Sequence, residues 1–74
     1  MPEFSDVHYH LGAIYGRMDL KGLSHFYFGK YYKLRGEKSN ALNQFRRAAD
    51  LLERGSPERD EVQREIKEMT SPTK

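Results

Sequence analysis

Seventy-four residues allow one domain at most, with no second lobe to roof a catalytic cleft, and a chain this short buries only about 60% of the surface its unfolded form exposes. The chain holds no cysteine, which excludes disulfides, thiolate zinc sites and cysteine nucleophiles together. Thirteen basic and 11 acidic residues leave a net charge of +2, a mixed surface that by itself selects no class of partner.

The N-terminal stretch MPEFSDVH lacks the basic flank and apolar core of a secretory signal. Residues 1–4 are expected to be a flexible lead-in to a single helical domain over 5–69. The first helix is predicted from about Asp6 to Met18, where Val7, Leu11, Ile14 and Met18 fall at i, i+4, i+7 and i+11 and form one stripe. Ser5 stands where an N-cap would accept a backbone N–H.

The second helix, Lys21 to Arg35, contains HFYFGKYYKLRG. Five of the chain's nine Phe and Tyr residues lie there between Phe26 and Tyr32. Propensity alone would favour a strand, but apolar residues occupy both parities and alternation fails. As a helix the segment shows three rows. Ser24, Phe28, Tyr31 and Arg35 form one; Leu23, Phe26, Lys30 and Leu34 form another; His25, Gly29 and Tyr32 lie between neighbours. A helix with so many apolar rows must touch more than one partner. Gly29 would cost about 1 kcal/mol against alanine in an exposed helix, so its place there predicts a close helix crossing.

The third helix is predicted from about Ser39 to Arg54, with Leu42, Phe45, Ala49 and Leu52 on one face. Gly36 and Gly55 suit C′ positions, where positive φ is needed. The fourth helix begins at SPERDE, with Ser56 as N-cap, Pro57 in the first helical position and acids in the first turn. Its narrow stripe of Val62, Ile66 and Met69 predicts one packed side and a wet remainder. Residues 70–74 are expected to be a disordered tail. No apolar run in the chain approaches the roughly 20 residues of a membrane span.

HYHLGAIYG at 8–16 and HFYFGKYYK at 25–33 align at a seventeen-residue offset, pairing His8 with His25, Leu11 with Phe28, Gly12 with Gly29 and Tyr15 with Tyr32. Such self-similarity marks a stacked helical array. Residues 22–55 resemble a tetratricopeptide repeat: Phe28, Gly29, Tyr32, Gly36, Ala41, Phe45 and Ala48 stand at that family's spacing. The chain departs from the pattern at His25, where a large aromatic belongs, and in the late position of Pro57. The preceding frame, 5–38, fits at Leu11, Gly12, Tyr15, Ser24 and Phe28. It departs at Asp19, where the turn glycine belongs, and at the bulky Tyr31. The expected architecture is therefore all-α: an antiparallel array of about four helices, one good repeat with a preceding helix and a C-terminal capping helix.

The histidine- and tyrosine-rich first two helices also make 6–52 similar to the C-terminal repeat region of some bacterial envelope zinc metallopeptidases. That resemblance implies a non-catalytic, substrate- or partner-recruiting piece in the periplasm or envelope, since the HExxH of that family's catalytic domain is not in this chain. A cytoplasmic adaptor is the alternative.

Candidate chemistry is sparse. His8 and His10, two apart on a helix, lie about 200° from one another and cannot share one ion. Ser24 beside His25 has no acidic residue nearby to complete a hydrolytic constellation. No catalytic residue, metal ligand or cofactor site is therefore assigned. KYYKLRG with FRR could contact nucleic acid through basic and stacking groups, but the same aromatics serve the repeat core and ERDEVQRE dilutes the basic charge. By position in the tetratricopeptide family, the inner face of the first repeat helix lines a groove. Carried over, the partner-binding residues are Leu23, Phe26, Lys30, Lys33 and Leu34. An apolar floor with two lysines would suit a protein or peptide bearing an acidic group or a free C-terminus. The expected function is protein–protein interaction, with self-association as the structural alternative.

Overall fold

The computed structural model describes residues 4–71, and all of its regular structure is helical. The helices are α1 (Phe4–Arg17), α2 (Lys21–Leu34), α3 (Lys38–Leu51) and α4 (Pro57–Thr70). Each has 14 residues and is therefore about 21 Å long. The all-α array expected from the periodicity is what the chain forms. Its ends differ slightly from expectation: α1 starts at Phe4, which puts Ser5 inside the helix rather than at its cap, and α4 continues through Thr70. Residues 1–3 and 72–74 lie outside the described residues. Among those described, no helix is long and apolar enough to cross a membrane.

Two of the three turns use the same device. After α2, Gly36 has φ 78°. Its N–H donates to the Lys33 carbonyl at 3.0 Å, and the Glu37 N–H donates to the Tyr32 carbonyl at 2.9 Å. This pair of bonds is a Schellman motif with glycine at C′. After α1 the same motif recurs with Asp19 in the left-handed position, at φ 62°. There the Leu20 N–H reaches the Tyr15 carbonyl at 2.9 Å and the Asp19 N–H reaches that of Gly16 at 3.1 Å. The aspartate thus performs the turn that the glycine performs seventeen residues later.

The third turn departs from expectation. α3 stops at Leu51, and Leu52 turns extended, with φ −77° and ψ 149°. Its side chain then packs beside Gly22, where an added Cβ would meet Leu52 Cδ2 at 3.0 Å. Gly55 is consequently not a helix C′ residue. With φ 82° it is the third residue of a turn closed by the Ser56 N–H on the Glu53 carbonyl, 3.2 Å, a position that demands glycine in a type II turn. The α4 start follows the sequence signal: Ser56 Oγ accepts the Arg59 N–H at 3.1 Å, Pro57 follows, and Glu58 and Asp60 lie in the first turn.

Packing proceeds from each helix to the next, and α2 also touches α4. The α1–α2 contact is translated onto α2–α3. A Cβ at Gly12 would meet the Phe28 ring at 2.9 Å, and a Cβ at Gly29 would meet the Phe45 ring at 2.6 Å. Both glycine and phenylalanine are displaced by seventeen residues between the two crossings. The small residue of the second helix moves likewise. Ser24, buried with its Oγ donating to the Gly12 carbonyl at 2.7 Å, is replaced at the next step by Ala41, wholly buried. The core is Phe26, Ala41, Phe45, Ala48 and Val62, with Leu23, Tyr27, Tyr32, Ala49, Leu52, Ile66 and Met69 packed round it. Extents of 40 × 35 × 17 Å describe a slab, as a row of helices makes.

The three rows of α2 each find a partner. Phe28 and Tyr31 meet Tyr9 of α1, at ring separations of 5.5 and 5.2 Å. Gly29 meets Phe45, and His25 Nδ1 bonds Gln44 Oε1 at 2.7 Å, both on α3. Lys30 and Lys33 reach the glutamates of α4. The aromatic density of α2 is thus the surface of one helix held between three others.

Candidate functional site

The row expected to line a groove, Leu23–Phe26–Lys30–Leu34 with Lys33, is the row that α4 approaches. This divides its members. Phe26 is only 2% exposed and belongs to the core, so it cannot meet a ligand as expected. Its ring is closed off because Lys30 Nζ lies 4.7 Å above the ring centroid and is held there by Glu61 at 2.9 Å. Leu23 is half-buried and packs against the same core. Leu34 is exposed, and Lys33 keeps 44% of its side chain in solvent.

What remains open is a cleft of about 300 Å³ lined by His8, Lys30, Lys33, Leu34 and Glu65. Three of the five expected residues, Lys30, Lys33 and Leu34, meet there, on elements whose placement follows from the packing. Lys30 and Lys33 project from one side of α2 toward α4. His8 comes from the opposite side, from α1, where its ring lies 6.0 Å from that of Tyr27.

The electrostatics differ from those expected of two open lysines. Lys33 Nζ pairs with Glu65 Oε1 and Lys30 Nζ with Glu61 Oε2. Glu61 and Glu65, one helical turn apart on α4, face two lysines three apart on α2. An incoming carboxylate must therefore exchange with a glutamate. The exchange is cheap at Lys33, because exposed pairs are worth about 0–1 kcal/mol. It is dearer at Lys30, which also covers Phe26. Leu34 supplies the apolar contact beside Lys33.

His8 and Glu65 were not foreseen as lining residues. The signal for Glu65 was present, since an i, i+4 pair of acids on one helix can match two lysines on another, but it appears only once α4 is known to fold back onto α2. A second opening, of about 420 Å³, lies at the far end of α2 between the α1–α2 and α3–α4 turns, with Leu20, Gly22, Leu23, Leu51 and Leu52 on its walls. Leu23, expected in the groove, lines this opening instead. Leu20 and Leu51 are exposed at its rim.

No group of three His, Asp or Glu among the described residues is placed to hold a metal ion. No buried side-chain nitrogen or oxygen among them lacks a hydrogen-bond partner. In comparison with known proteins, no family model matches the chain, and no curated protein or solved structure matches it either.

Proposed function

We propose that this chain is a non-catalytic protein–protein interaction module, a short helical array of tetratricopeptide-repeat type whose partner seats in the cleft beside Lys33 and Leu34. The observation that carries the reading is the translated crossing, Gly12 on Phe28 and Gly29 on Phe45. A chain that spends its aromatics on stacking helices presents surfaces rather than an enclosed chamber, and stacked helical repeats use such surfaces for binding. The cleft chemistry favours a partner segment that offers an apolar side chain to Leu34 and a carboxylate that exchanges with Glu65 on Lys33.

The test is capture from nuclease-treated lysate with the wild type beside a Lys33→Glu/Leu34→Glu variant. Both residues are exposed, so circular dichroism should show unchanged helicity. A protein retained by the wild type and lost by the variant supports the cleft. Equal retention, or none, removes it as the binding site.

A further inference from the structure

The helix row is closed at one end and open at the other. On α4, the solvent side carries Asp60, Gln63, Arg64, Lys67 and Glu68, all exposed and polar. That is how a terminal helix of a stacked array is kept soluble. α1 does the reverse. It packs on α2 through Gly12 and Gly16, while Ile14 lies about 200° round the helix from Gly12. Val7, Ile14 and Met18 are 50%, 43% and 59% exposed, with Leu11 half-buried among them. The stripe legible in the sequence is therefore an outer one, turned away from the rest of the fold.

The seventeen-residue translation says what such a face is for. Leu11 and Ile14 correspond to Phe28 and Tyr31, and in α2 those residues meet the preceding helix, through Tyr9. The outer face of α1 is thus built to receive a helix, and none of this chain's described helices covers it.

We propose that the occupant is α1 of a second copy, in an antiparallel, two-fold symmetric pair. Head-to-tail stacking would press the apolar stripe onto the charged side of α4 and bury its charges unpaired. Self-pairing instead sets apolar on apolar, with Val7 opposite Met18 of the other copy and Leu11 opposite Ile14. The charges choose the direction. Asp6 lies in the first turn and Arg17 in the last, on the same flank of the stripe, about 20° apart round the axis. A two-fold axis between Leu11 and Ile14 brings each Asp6 beside the other copy's Arg17, twice per dimer. Parallel pairing would set like charges at like ends. A single helix face about 21 Å long is smaller than a standard interface, so the dimer is weak, with a dissociation constant on the order of 10–100 µM.

Sedimentation of the full chain across about 1–500 µM, a range bracketing that constant, tests this. The expected result is a monomer–dimer equilibrium that Ile14→Lys weakens at least about tenfold, with the circular dichroism of the wild type. Asp6→Arg and Arg17→Asp should each weaken self-association several-fold, and an equimolar mixture of the two should form a heterodimer as tight as the wild type. A chain that stays monomeric throughout the range overturns the proposal. So does a dimer indifferent to Ile14→Lys, or a mixture that fails to recover. The cleft at Lys33 and Leu34 is on another part of the surface, so its capture test stands or falls separately.

Discussion

At Gly29 two effects of opposite sign compete. Alanine in place of glycine inside a helix gains about 1 kcal/mol of propensity. The added Cβ would stand 2.6 Å from two atoms of the Phe45 ring, and Phe45 is wholly buried, with nowhere to retreat. Overpacking of this kind costs about 1–3 kcal/mol, so Gly29→Ala is expected to be destabilising. Gly12→Ala meets a milder contact, 2.9 Å, against Phe28, whose ring is only half-buried and can shift. There the two effects should nearly cancel. Urea denaturation of the two variants should therefore separate them by up to about 2 kcal/mol, with Gly29→Ala the less stable. Asp19 offers the opposite case. It holds φ 62° in a turn otherwise identical to that of Gly36, and Asp19→Gly should raise stability by about 0.5–1 kcal/mol by relieving a left-handed conformation. An unchanged or lower denaturation midpoint for Asp19→Gly would contradict the reading of that turn.

Among the helices, α4 has the clearest start signal. Ser56 Oγ accepts the Arg59 N–H, and Ser56→Ala should cost about 1 kcal/mol. By contrast, neither Leu20 before α2 nor Glu37 before α3 makes a side-chain cap bond. Glu37 spends its carboxylate elsewhere. Arg35 Nε and Asn40 Nδ2 donate to it at 3.1 and 3.0 Å, and these hydrogen bonds, Arg35 first, hold its pKa below the usual glutamate value. Because the folded pKa is the lower one, the contribution is present above the ordinary carboxylate range and is lost as pH falls through the lowered value. Glu37→Gln should therefore flatten the acid limb of a thermal-stability profile and leave its neutral region nearly level. An acid limb as steep in Glu37→Gln as in the wild type would place the effect elsewhere.

The helices themselves were legible because each carries its own punctuation: Gly36, Ser56–Pro57, and a 3.6-residue apolar period. A close crossing at Gly29 was legible too, from a glycine placed where propensity disfavours it; that Phe45 makes it is what the structure adds. Destinations were not. The α1 stripe is plain in the sequence, but a stripe says only that a face is apolar, and here α2 is met by Gly12 and Gly16 instead. Phe26 reads as groove by its position in the tetratricopeptide pattern. Its burial depends on α4 returning across α2, a contact between segments about thirty residues apart. The end of α3 was misplaced for a similar reason: Leu52 leaves the helix to fill the space beside Gly22, which local periodicity cannot report.

For the molecule as a whole, α4 acts as both cap and competitor. Its glutamates pair with both lysines of the cleft, so a carboxylate partner of the kind proposed would have to exchange with them. Removing the competitor of the more exposed lysine, with Glu65→Gln, should strengthen capture of a carboxylate-bearing partner several-fold, whereas Lys33→Gln should weaken it. A partner indifferent to both would bind by another surface. The array account rests on the same crossing occurring twice in one chain. Nuclear Overhauser contacts from glycine Hα protons to aromatic rings test it most directly. The account predicts cross-peaks from Gly12 to Phe28 and from Gly29 to Phe45, both sets of glycine protons shifted by the rings they touch. Finding one pair without the other, or neither, would contradict it.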